Sequence, residues 1–77
     1  MKEKMRSAAN MRSGEKAKII DIDLNHPAAR RILEYGFTPG QEIELLATSV
    51  FNDPLAFAVR GTIIAMRKSE AESIKVA

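Results

Sequence analysis

The chain contains no cysteine, no tryptophan and a single histidine. Without thiols there is no disulfide, thiolate zinc site, iron–sulfur cluster or cysteine nucleophile. Absent cysteine suits a reducing cytoplasm. One histidine, His26, leaves a transition-metal centre short of nitrogen ligands, because such centres commonly combine two histidines with a carboxylate. No apolar run approaches the ~20 residues that a helix needs to span a bilayer. Nothing near Met1 has the form of a secretory h-region. Aromatic residues are also few, one tyrosine and three phenylalanines, which leaves little material for stacking nucleic-acid bases. At 77 residues the chain suffices for one small core and not for a large internal cavity.

Charge is distributed unevenly. Lys2, Lys4, Arg6 and Arg12 face only Glu3 in the first twelve residues, whereas residues 13–77 carry eight basic and nine acidic side chains. The overall net charge of +2 therefore arises in the N-terminal segment. A phosphate-binding protein usually carries its basic patch on the folded domain itself, so a nucleic-acid partner is not expected. Residues 1–13 are polar or small and offer little apolar surface to offset their ordering entropy. They are expected to form a flexible tail ahead of a domain spanning 14–77.

Within that domain the apolar residues mostly alternate. Ile20, Ile22 and Leu24 share one parity and Asp21 and Asp23 the other, which predicts a strand over 17–24. Pro27 suits a first helical turn, Ala29, Ile32 and Leu33 line one face, and Gly36 is placed to end the helix in a left-handed conformation. A short helix over 27–35 is thus predicted, with Asn25 or His26 ahead of it as a cap. Thr38-Pro39-Gly40 has the composition of a tight turn. Further strands are expected over 42–48, 55–60, 62–67 and 74–76, with Asn52-Asp53-Pro54 as a turn, Gly61 as a bulge or corner, and one helical turn over 69–72. Five or six short strands with one helix after the first predict a mainly β protein, a small curled antiparallel barrel whose closure would also hide its edges.

The order of this punctuation carries a resemblance. Gly14, Ile19 and Ile22, then Arg31-Ile32-Leu33-Glu34-Tyr35-Gly36-Phe37-Thr38-Pro39-Gly40, are similar to the FeoA domain of bacterial ferrous iron transport protein A. Asn52-Asp53-Pro54, Val59-Arg60-Gly61, Ile64-Ala65-Met66-Arg67, Glu70-Ala71 and Ile74-Lys75-Val76 follow in the same order, so that the resemblance covers about residues 13–76. Tyr35 and Ile32 stand where leucine is more usual, and the segment before Gly14 is polar where the family has an apolar opening strand. The resemblance implies an SH3-like barrel and a partner, a FeoB-type ferrous iron transporter with a G-protein domain.

The residues themselves argue against catalysis. Asp21 with Asp23 and Glu42 with Glu44 sit at i, i+2, the spacing of a solvated strand face. The lone histidine has no serine motif around it, and Gly36 and Gly40 flank a turn that leads into a strand, unlike a phosphate-binding loop. No metal or cofactor site is expected, and His26 reads as a capping residue. The candidate partner-binding residues are Arg30, Arg31, Glu34 and Tyr35 on the helix, with Phe51, beside Val50, at a hairpin tip. Glu34 is within reach of Arg30 at i+4 and of Arg31 at i+3. The leading expectation is a non-enzymatic cytoplasmic accessory module docking on the transporter, peripheral to the inner membrane only through that partner. Two other classes fit less well. The regulatory SH3-like domain of an iron-dependent transcription repressor would need a helix-turn-helix upstream, for which the segment before Gly14 has no room. A small-barrel nucleic-acid binder would need more basic and aromatic surface.

Overall fold

In a computed structural model, which describes residues 6–48 and 53–77, the alternating residues build one antiparallel sheet. Its strands are β1 (Arg6–Ser7), β2 (Lys16–Ile22), β3 (Glu42–Thr48), β4 (Leu55–Val59), β5 (Thr62–Met66) and β6 (Ile74–Val76), in the order β1-β6-β2-β3-β4-β5. Helix α1 (Ala29–Glu34) follows β2, and the single turn α2 (Lys68–Ala71) joins β5 to β6. Ile43 and Leu45 of β3, Leu55, Phe57 and Val59 of β4, and Ile74 and Val76 of β6 are buried, as their alternation predicts. Phe37, just beyond α1, meets Phe57 edge to face with ring centroids 6.0 Å apart. Burying side chains of this size contributes about 1.5–3 kcal/mol each. The architecture is mainly β, with six antiparallel strands curled around one core. The hydrogen-bonded ladder stays open between β5 and β1, where sequence reasoning had expected closure.

Helix α1 ends as its sequence dictates. The N–H of Gly36 donates to the Leu33 carbonyl (3.0 Å) and that of Phe37 to the Ile32 carbonyl (3.3 Å). These two bonds form a Schellman motif, which needs a residue of positive φ between them. Gly36 supplies it at φ 107°. Ile32 and Phe37 are both buried, the apolar contact that accompanies this motif. The N-terminus differs from expectation. The helix starts at Ala29 after an N-cap, Ala28, that has no side-chain bond. His26 caps the preceding turn, its Nδ1 accepting the Ala28 N–H at 3.0 Å.

Two sequence expectations are corrected. The first is the N-terminal boundary. Arg6 and Ser7 pair with Val76 and Lys75 of β6, Ala8 and Met11 are buried in the core, and residues 6–13 therefore belong to the folded unit. Local capping organises this segment, since Ser7 Oγ accepts the Ala9 N–H and Asn10 Oδ1 accepts the Ser7 N–H (2.9 Å). Glu15 then clasps it, taking Arg6 Nη2 at 2.6 Å and the Arg12 N–H at 2.9 Å. Residues 1–5 lie outside the described residues.

The second is the inward parity of β2. Ala17, Ile19 and Ile22 are buried, whereas Ile20 is half exposed and Leu24 is 70% exposed. Pairing with β6 shifts register between Ile19 and Asp21. That irregularity turns Ile20 and Asp21 outward together before Ile22 returns to the core.

Candidate functional site

Helix α1 presents an outward face beside the sheet. Because Ala29 and Ile32 are committed to the core and Leu33 packs against it, helical periodicity sends Arg30, Arg31 and Glu34 outward. All three are exposed, and Tyr35 at the helix end is 43% exposed. The structure thus brings four of the five sequence candidates to one side of one helix. Phe51, with Val50, lies outside the described residues.

The electrostatic partner of this face was missed by local reasoning. Arg31 pairs through Nη2 with Oε2 of Glu70 on α2 and not with Glu34. The other oxygen of Glu70, Oε1, accepts the Arg67 N–H at 3.0 Å, so one carboxylate caps α2 and ties it to α1. Nothing within a helical turn of either residue signals a contact across 39 positions. At its other end α1 rests against the β4–β5 hairpin, where a β-carbon on Gly36 would lie 2.8 Å from Cδ of Arg60. The helix thus meets α2 at one end and the hairpin at the other, while Arg30, Glu34 and Tyr35 remain exposed.

The acidic candidates are local braces. Asp21 Oδ1 accepts the Ile22 N–H (2.9 Å) and Asp23 Oδ1 the Asn25 N–H (3.0 Å), beside the His26 cap already described. Among the described residues no group of three or more histidines, cysteines or carboxylates is placed to hold a metal ion. Across the outer face, Lys16 pairs in register with Glu44 and Lys18 with Glu42. An open groove of about 180 Å³ runs beside them, lined by Lys16, Glu42, Glu44, Ala58, Arg60 and Gly61. That is smaller than the ~300 Å³ at which small-molecule sites usually begin. No described helix is long and apolar enough to cross a membrane.

Comparison with known proteins places this architecture. The chain is similar to a FeoA-like protein from Clostridium acetobutylicum, at 30% identity and TM-score 0.89 over 99% of this chain and 88% of that one. It is also similar to Stenotrophomonas maltophilia FeoA, a prokaryotic SH3 domain protein solved with zinc, at 29% identity and TM-score 0.84 over 94% and 89% of the two chains. The IdeR protein of T. acidophilum shares the fold at 20% identity and TM-score 0.81, with all of this chain matching 35% of that one. No curated protein matches by sequence. The FeoA domain model matches residues 7–77, a span that takes in Ser7 of β1, all of β2 to β6 and both helices. The fold is SH3-like, and the chain belongs to the FeoA domain family, whose members are related to ferrous iron transport.

Proposed function

We propose that this chain is a non-enzymatic accessory module of ferrous iron uptake that docks, in the cytoplasm, on a FeoB-type transporter through the outward face of α1. The observation that carries the reading is the combination of a core-anchored helix and its exposed charged face. Ala29 and Ile32 anchor α1 in the core and the Gly36 and Phe37 N–H bonds close its end, so that Arg30, Glu34 and Tyr35 meet a partner from an already ordered helix. Arginine and tyrosine are the residue types that most often dominate binding energy at interfaces. The small open groove and the locally committed carboxylates give little support to catalysis.

Binding of an Arg30→Glu/Tyr35→Ala variant to the cytoplasmic portion of a FeoB-type transporter tests this reading. Neither side chain is in the core, so thermal unfolding should match the parent while affinity falls by at least ~10-fold, the scale of a reversed charge at an interface. Phe51→Ala, measured alongside, asks whether the hairpin tip shares the interface. Unchanged affinity of the folded double variant at both low and physiological salt sinks the α1 docking face.

A further inference from the structure

The edge of β5 has a backbone that its own sheet does not use. The β4–β5 turn contains two residues, Arg60 and Gly61, both at positive φ (51° and 78°), with Val59 opposite Thr62. This is the arrangement of a type I′ hairpin. Its flanking pair exchanges both backbone hydrogen bonds, and bonded and non-bonded pairs then alternate along the ladder. The N–H and C=O groups of Thr62, Ile64 and Met66 consequently point at β4, and those of Ile63 and Ala65 point away. β5 is the last strand of the sheet. Among the described residues no backbone group bonds Ile63 or Ala65 from the open side. Four polar groups thus have no partner among the described residues and are open to solvent.

The open stretch has defined ends. The next outward amide, Arg67, is taken by Glu70 Oε1, and the Lys68 N–H donates to Asp53 Oδ1 at 2.9 Å. Between these ends β5 has none of the usual edge protection of charge, proline or bulge. Its register with β4 is regular from Val59↔Thr62 to Leu55↔Met66. Its outward side chains are Ala65 and Ile63, the latter 67% exposed.

Charge selects the occupant. Arg60 precedes the strand and Arg67 and Lys68 follow it; β5 itself carries no carboxylate, and the two at its far end, Glu70 and Asp53, are engaged by the Arg67 and Lys68 N–H groups. None of the three cations is in an ion pair with a described residue. A second copy pairing antiparallel would set Arg60 against the other copy's cations at the far end, and a parallel one would set like against like along the strand. Both are unfavourable. We infer that the free edge of β5 takes an extended peptide segment of a partner protein, apolar in its middle and acidic at its ends, as a seventh strand. Main-chain bonds to Ile63 and Ala65 supply affinity, and the flanking cations select the acidic ends. This surface is separate from the exposed residues of α1 and stands or falls independently of them.

The test uses the isotope-labelled full chain and a synthetic peptide of alternating valine and threonine with two glutamates at each end. The Ile63 and Ala65 amides should show the largest shifts and become protected from exchange. A peptide with lysine ends should bind at least ~10-fold more weakly, and raised salt should weaken the glutamate form. Ala65→Pro removes one outward donor without touching the β4 ladder, a placement edge strands tolerate, and should abolish binding. Should that variant not fold, the glutamate-ended peptide N-methylated at alternate residues makes the same cut from the ligand side. Absent binding, shifts centred elsewhere, equal affinity for both peptides, or self-association through β5 would each overturn the inference.

Discussion

Gly36, at the end of α1, and Arg60, in the β4–β5 turn, lie so close that a β-carbon on the glycine would sit 2.8 Å from the arginine Cδ. The contact seats the helix on the hairpin, and it asks two things of position 36 at once: φ of 107° and no side chain. Gly36→Ala should therefore cost about 2–3 kcal/mol, combining backbone strain with a clash. Gly14 is also at positive φ but opens onto empty space, so Gly14→Ala should cost only the strain, about 1 kcal/mol. Adding Arg60→Ala, which removes Cδ but keeps a β-carbon at this positive-φ position, should recover part of the loss at position 36 and none at position 14. Urea unfolding of the variants checks the difference, and equal costs at the two glycines would exclude a steric role for Arg60.

Removal of residues 1–10 tests the N-terminal segment. Deletion takes away the β1–β6 pairing and empties the site of Ala8, which is fully buried. A loss of about 1–3 kcal/mol is expected, the range in which core and ladder deletions fall. A mobile tail would give no loss on denaturant unfolding.

Most of the sheet was legible because its signals are local. Ile43, Leu45, Phe57, Val59, Ile74 and Val76 announce their faces by simple alternation, and Gly36 and Gly61 mark turns that few other residues adopt. What escaped was set by distant partners. Residues 6–11 carry only the weak apolar spacing of Ala8 and Met11, and what orders them is β6, at the other end of the chain, and the Glu15 carboxylate. The register shift beside Ile20 depends on how β6 pairs, which no single strand records. For the candidate face, helical spacing placed Arg30, Arg31 and Glu34 outward. The partner of Arg31 could not be read from its neighbours, because Glu70 arrives from another element.

The N-terminal clasp should respond to acid. Hydrogen bonding from the Arg6 guanidinium, then from the Arg12 N–H, holds the Glu15 carboxyl below its ordinary value of 4.5. A carboxylate depressed in the folded state contributes stability that is present above the ordinary value and lost as pH falls through the folded one. The exchange protection of the Arg6–Val76 pairing should hold from neutrality down to the usual carboxylate range and decline below it. Glu15→Gln, which keeps an acceptor without the charge, should flatten that decline. An unchanged profile in the variant would remove Glu15 as its source.

The link between α1 and α2 makes the last prediction. Arg31 is 54% exposed at its side chain and Glu70 20%, so solvent screens the pair and its direct coupling should be small, about 0.2–1 kcal/mol. Glu70 has a second role, since its other oxygen takes the Arg67 N–H at the start of α2. The two ends of the pair are therefore unequal: Arg31→Ala deletes one exposed contact, whereas Glu70→Ala deletes that contact and the helix cap, which by itself is worth about 1 kcal/mol. In a double-mutant cycle, Glu70→Ala should destabilise more than Arg31→Ala, with the coupling inside the surface-pair range. Glu70→Gln should fall between them, because the amide oxygen still accepts from Arg67 while the charge facing Arg31 is gone. For the proposed docking face the consequence is specific. Arg31→Glu would place like charge against Glu70, so its effect on a partner mixes orientation with contact, whereas Arg30→Glu leaves the Arg31–Glu70 pair intact and adds only a small like-charge term with Glu34. If the two reversals weaken transporter binding equally and leave α1 exchange protection equal, the Arg31–Glu70 pair does not position the helix.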